Sequence, residues 1–329
     1  MSNGLIKNKR SVMAVSGLMV LLFHFWATVF LGNKVEMFIK STAYIGVDMF
    51  FFLSAYSIGS RRIDKIGSYY KSRFFSVYLK FILFTIAAWL ILQTKWDILR
   101  VLKVIVGVEL FEKGGGAFLW FLPAILILYI IMPFYQKAYE KAPKLTAILT
   151  CAVWLLVGIL VTYLTSYKKI FIFWNRLPIF FLGFFAAKIP EKAAKKIRNP
   201  FIGLGLLVLG SVLLYFTGFT KKLGVPMVDF FYVCAIPATL GFVILTDFIP
   251  ENPVTNLLGS ATLELYGVQM IMMTGFKIMK WVASWAKTPI LSNLVNIAIA
   301  IAIALVLSLV YNLIYKNIKK LIRNKKAQN

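Results

Sequence analysis

Ionisable side chains are scarce in the apolar stretches of this chain, and each of the few marks a place where chemistry could occur. His24, inside the run SGLMVLLFHFWATVF (16–30), is the only histidine. A neutral imidazole is the side chain best suited to take a proton from a hydroxyl near neutral pH. Its residues alone leave two roles open: a general base, or a hydrogen-bonded packing link to a neighbouring helix. No metal site is expected, because a lone histidine has no second imidazole with which to share zinc. Arg10 precedes His24 by 14 residues, about 21 Å of helical rise. One helix would then carry a cation at the membrane surface and an imidazole deep inside. Asp48, in YIGVDMFFFLSAYS (44–57), could orient a histidine or cap a helix. The stretch RRIDKIGSYYKSR (61–73) gathers Arg61, Arg62, Lys65, Lys71 and Arg73. Such a group can hold phosphates, of lipid or of a phosphorylated cofactor, or serve only as a topology signal. Lys80, Arg176, Asp229, Glu264 and Gln269 are further polar groups within or beside apolar runs. Burial of this kind in a membrane is costly, which makes each a functional candidate. Glu264 reads first as a polar link between helices.

The elements that must position these groups are membrane helices. The chain has 329 residues and is 60% hydrophobic, against roughly 45–50% in soluble proteins. Ten apolar segments are long enough to cross a hydrocarbon core of about 30 Å. They lie near 11–31, 41–59, 74–93, 116–135, 145–164, 171–187, 200–217, 228–249, 257–279 and 290–314. Arg176 and Pro178 interrupt the sixth, which is expected to be short or broken. Segment 100–111 (RVLKVIVGVELF) reads as an interfacial or re-entrant piece. The predicted fold is therefore all-α: one polytopic membrane domain over 1–329 with basic tails at 1–10 and 316–329. With the N-terminus inside, 22 Lys and Arg fall on the inner side and 14 on the outer, which puts both termini in the cytoplasm. Lys7, Lys9 and Arg10 ahead of the first run make it a signal anchor rather than a cleaved leader. The net charge of +25 is assigned to topology and anionic lipid, not to nucleic acid, since no nucleic-acid-binding module accompanies it. Cys151 and Cys234 both lie in apolar runs and are expected to be free packing residues.

Six ordered motifs carry a family resemblance. They are VLLFHF (20–25), GVDMFFFLSAYSIG (46–59), YYKSRFFSVYLKF (69–81), LWFLPAILILYIIMPF (119–134), NRLPIFFLGFFAAK (175–188) and LGSATLELYGVQM (258–270). In this order over nearly the whole chain, they resemble the acyltransferase-3 family of integral membrane acyltransferases. The resemblance implies an O-acyltransferase of a bacterial-type plasma membrane. It would pass an acyl group, usually acetyl from acetyl-CoA, to a hydroxyl of an envelope polysaccharide or lipid-linked glycan. The family's essential histidine falls on His24; Asp48, from its own position, is the second catalytic candidate. Its basic contacts to the CoA phosphates map onto Arg10 and Arg73, with Arg61, Arg62 and Lys71 as further candidates. The pattern departs from the family at four points. Met13 stands where a basic residue eleven positions before the histidine is usual. Ser76 replaces the second arginine of an R-x-x-R pair, Ala55 replaces a glycine, and Gln269 replaces a late histidine. Arg10, one turn before Met13, is the expected substitute for the first of these. The rival expectations are a transporter or flippase with His24 as a proton relay, and a non-catalytic relative.

Overall fold

The computed structural model describes residues 4–25, 42–92, 96–164, 169–219, 230–275 and 277–328. The described residues are helical throughout, with no strand. In chain order the helices are α1 (Lys9–Phe25), α2 (Gly46–Gly59), α3 (Ile66–Leu92), α4 (Ile98–Val106), α5 (Val108–Lys113), α6 (Phe121–Lys141), α7 (Pro143–Leu164) and α8 (Phe171–Trp174). They continue as α9 (Leu177–Ala186), α10 (Glu191–Ile197), α11 (Pro200–Phe219), α12 (Phe230–Thr246), α13 (Pro253–Ser260), α14 (Thr262–Gly275), α15 (Lys277–Trp285) and α16 (Pro289–Gln328). Four stretches are long and apolar enough to cross a membrane: all of α3, all of α6, Pro143–Val161 of α7 and Pro289–Asn317 of α16. The α10–α11 pair, bent by 61°, makes a fifth if taken as one span. Shorter apolar helices stand at Gly46–Gly59, Phe171–Ala186 and Ala235–Thr246. The outer end of the expected first span, the start of the second, and Asp229 lie outside the described residues.

Three elements differ from, or refine, the hydropathy boundaries. The expected third span begins at residue 74, but α3 begins at Ile66 and takes Lys71 and Arg73 into the helix. Hydropathy marks where polarity ends; the helix continues because no glycine or proline breaks 68–92. A π-turn at Phe74–Tyr78 joins its polar and apolar parts. The expected ninth span (257–279) is broken at Ala261 between α13 and α14, and α15 follows Phe276, which lies outside the described residues. A capping box at Asn252 and Thr255 starts α13. The sixth breaks at Asn175–Arg176, and Pro178 sits in the first turn of α9, where it is tolerated. Segment 100–111 falls in α4 and α5, of 9 and 6 residues. They are joined at Gly107, whose φ of +87° is left-handed.

The core is aromatic. Phe51 and Phe52 of α2 and Phe180 and Phe184 of α9 are fully buried. α2 and α9 approach so closely that a Cβ on Gly183 would lie 2.2 Å from the Phe52 carbonyl oxygen. That contact fixes Asp48 of α2 beside the break that carries Arg176. By contrast α7 and α11 present leucine, valine and phenylalanine outward, with Leu156 58% and Phe216 62% exposed, as lipid-facing helices do. Cys151 is free but exposed on α7, so it does not pack in the core; the side chain of Cys234 lies outside the described residues.

Candidate functional site

Along α1, Lys9, Met13, Val20 and His24 are spaced by 4, 7 and 4 residues, which keeps them on one face of a helix. Lys9, Met13 and Val20 line an inner cavity of about 280 Å³, shared with Ser57 of α2, Arg73 and Lys80 of α3, Tyr129 of α6 and Tyr266 of α14. His24 lines a different cavity of about 590 Å³ among α14, α15 and α16, called outer after the topology expected from the charge count. Val20 belongs to the inner cavity, and its carbonyl oxygen lies 3.0 Å from His24 Nδ1. A single helical turn of α1 therefore separates the two. A carbonyl only accepts, so the neutral ring carries its proton on Nδ1 and keeps Nε2 as the basic nitrogen. The ring sits edge-on to Phe23 at 5.2 Å, and Phe23 packs on Tyr44 at 4.8 Å.

The inner cavity is cationic. Lys9 Nζ donates to Ser57 Oγ. The Arg73 guanidinium stands 5.2 Å from the Tyr69 ring centroid and 4.7 Å from that of Tyr129, and its buried Nε has no hydrogen-bond partner. Among the described residues neither Lys9 nor Arg73 is in a salt bridge. Lys80, in contrast, is paired with Glu264 and lies 4.7 Å from the Tyr311 ring centroid. Lys9 opens α1 ahead of the apolar span. Burial, followed by the fields of Arg73, Arg10 and Arg61, lowers its ammonium pKa from 10.5 to about 8. Two cations without carboxylate partners in one cavity lining can hold an anion.

Of the five basic residues expected to hold phosphates, Arg73 alone is in the cavity lining. Arg10 is turned about 100° round the helix from Lys9. Its Nη1 donates to the Gly259 carbonyl at 3.3 Å, and its own N–H donates to Glu251 Oε1. Arg62 is exposed and pairs with Asp64 at 3.2 Å; Arg61 and Lys71 are exposed as well. Lys9 therefore occupies the place the sequence reading gave to Arg10. Its signal was available in the four-residue spacing to Met13. Met13 and Ser76, where basic residues were expected, both line the inner cavity.

Asp48 meets Arg176, not His24, and it does not cap α2. Arg176 Nε is 3.3 Å from Asp48 Oδ1, with both side chains buried. The guanidinium lies 4.7 and 5.0 Å from the Tyr44 and Trp120 ring centroids and donates through Nη1 to the Ile172 carbonyl. Trp120 follows Leu119, whose φ of +53° is left-handed and costs about 1–2 kcal/mol in an L-residue. On α14, Tyr266 lines the inner cavity and Met273 the outer. Gln269, between them on the same face, is 1% exposed, and both of its amide atoms lack a hydrogen-bond partner. Among the described residues no group of histidine, cysteine and carboxylate side chains could hold a metal ion. The arrangement can bind an anion at its inner end and take a proton at its outer end. A family described as an acyltransferase domain matches residues 14–313. Comparison with curated proteins and with solved structures finds no match.

Proposed function

Because the chain belongs to the acyltransferase-3 family and is an acyltransferase, we propose that it carries an acetyl or similar acyl group across a bacterial-type plasma membrane. The donor is an acyl-CoA and the acceptor is a hydroxyl of an envelope polysaccharide or lipid-linked glycan. The observation that carries this reading is the pair of cavities on one stripe of α1, cationic at Lys9 and Arg73 and bearing His24 at the other end. On this reading the chain spans the membrane ten times with both termini cytoplasmic, and the basic tails rest on anionic lipid. Lys9 and Arg73 take the CoA phosphates, and the pantetheine arm runs along Met13 and Val20. His24 Nε2 removes the proton of the acceptor hydroxyl as its oxygen attacks the thioester carbonyl carbon. The new C–O bond forms, the C–S bond breaks, and the thiolate leaves as CoA and takes up a proton. Gln269 can donate from its amide to the carbonyl oxygen while that oxygen carries charge. Arg176, paired with Asp48, holds Tyr44, which packs on Phe23 beside the histidine ring.

The test is CoA release and acyl transfer by the purified protein, with His24→Ala beside it. A general base contributes about 10²–10⁴-fold, so the variant should lose that much transfer at an unchanged protein level. Transfer at the wild-type rate would remove His24 from the mechanism. Movement of a glycan without release of CoA would make the protein a transporter instead.

A further inference from the structure

The outer cavity has a composition of its own. Its rim carries Lys280 and Lys287, both exposed, and its floor carries Asn293 and Asn296, both buried on α16. Thr288 and Ser292 line it as well, and among the described residues no carboxylate lines the cavity. Asn296 is 1% exposed, and its Oδ1 has no hydrogen-bond partner. A buried amide left in this state costs about 1–3 kcal/mol. An arriving hydroxyl group would remove that cost by donating to Oδ1. The lysines are equally out of place. Outer segments of a membrane protein are usually poor in Lys and Arg, yet residues 277–296 hold three lysines and no acid.

From these features we infer that the outer cavity is the acceptor site and that it selects a glycan carrying phosphodiester or carboxylate charge beside its free hydroxyls. This inference rests on the acyltransferase reading above. The buried amide of Asn296 recognises a hydroxyl, and His24 lies in the same lining to deprotonate the one that reacts. Lys280 and Lys287 draw the charged polymer in from the aqueous side. Rim charges of this sort act mainly through long-range attraction and are screened by salt. Neutral glycans would meet the floor but gain nothing from the rim.

The experiment uses the full chain in phosphatidylcholine nanodiscs. Three fluorescent probes are titrated without acyl-CoA: a glycerol-phosphate oligomer, an oligogalacturonide and neutral cellotetraose. At low salt, both anionic probes should bind about tenfold tighter than the neutral one, and the advantage should shrink as ionic strength rises. The Lys280→Gln/Lys287→Gln double variant should lose the anionic advantage. Asn296→Leu should weaken all three probes without lowering the thermal midpoint, because it removes an oxygen that has no partner. Equal binding of neutral and anionic probes, or an undiminished advantage in the double variant, overturns the inference. A lower midpoint for Asn296→Leu with binding intact makes Asn296 structural and also overturns it. Discs of phosphatidylglycerol with labelled acetyl-CoA test the lipid alternative, and label appearing on the headgroup and not on added glycan would rule out a glycan acceptor. Because binding is read without a donor, failed transfer and failed selectivity are separate results.

Discussion

Lys9 is half sunk in the inner cavity, against Ser57 and within the field of Arg73. With its pKa lowered to about 8, the free folded protein sheds this proton around pH 8, whereas the unfolded chain keeps it from there up to the ordinary lysine range. The unfolded chain binds more protons over that interval, so Lys9 costs stability below it and the cost fades as pH rises through it. A bound phosphate reverses the balance by favouring the ammonium. Acetyl-CoA should therefore bind most tightly below pH 8 and weaken as pH rises from 7 to 9. Lys9→Arg, which cannot lose its charge in this range, should flatten the profile; titration of acetyl-CoA at each pH checks it. Arg176 and Asp48 behave differently, because both are already paired. Arg176→Ala leaves the buried Asp48 carboxylate alone and should cost about 3–5 kcal/mol, read as a lower thermal midpoint in detergent. Removing both charges together, as Asp48→Asn/Arg176→Gln, should cost less. The sequence singled out His24, Asp48 and Arg176 through the cost of burying polarity in membrane, and Arg73 through its basic cluster and the family resemblance. It did not identify which charges are paired, because pairing depends on how α2 and the α8–α9 break meet across 128 residues of chain.

At the scale of elements, the inner cavity depends on where α1 begins. Asp247, just beyond α12, accepts from the N–H groups of Lys7 and Asn8 at 2.8 and 2.6 Å through Oδ1. Its Oδ2 accepts from Arg198 Nε at 2.6 Å. A carboxylate at this point favours the helix start and sets the rotation that sends Lys9 inward and Arg10 toward α13. Asp247→Asn should raise the KM for acetyl-CoA about three- to tenfold with kcat little changed. A drop in kcat instead would give Asp247 a part in the chemistry itself. This contact was not legible in the sequence, since it joins residues about 240 positions apart. The break in the sixth segment was legible, because Pro178 and Arg176 are local signals. The early start of α3 was obscured by its own charges, which resemble a loop in any hydropathy scan.

For the whole molecule, the alternation of apolar runs made an all-helical membrane protein readable from composition, and the ordered motifs identified the family. Short helices within one apolar run, such as α13 and α14, were not resolved, because a hydropathy window averages over the break at Ala261. Two cysteine variants on a Cys151→Ser/Cys234→Ser background test the topology. Ser284→Cys should react with an impermeant maleimide in intact cells, and Ser68→Cys only after permeabilisation. The reverse pattern would invert the chain in the membrane. The placement of Lys9 and His24 near opposite ends of one helix also has an electrical consequence. On the proposed mechanism, a proton taken from the acceptor at His24 would be released on the outer side, while the departing thiolate would take its proton from the cytoplasm. Each turnover would then move one positive charge outward, against an inside-negative potential that opposes it by about 2.3 kcal/mol per 100 mV. The membrane voltage would become a brake on envelope modification, unless the His24 proton returns inward to the thiolate; the voltage dependence of the rate in sealed vesicles distinguishes the two routes.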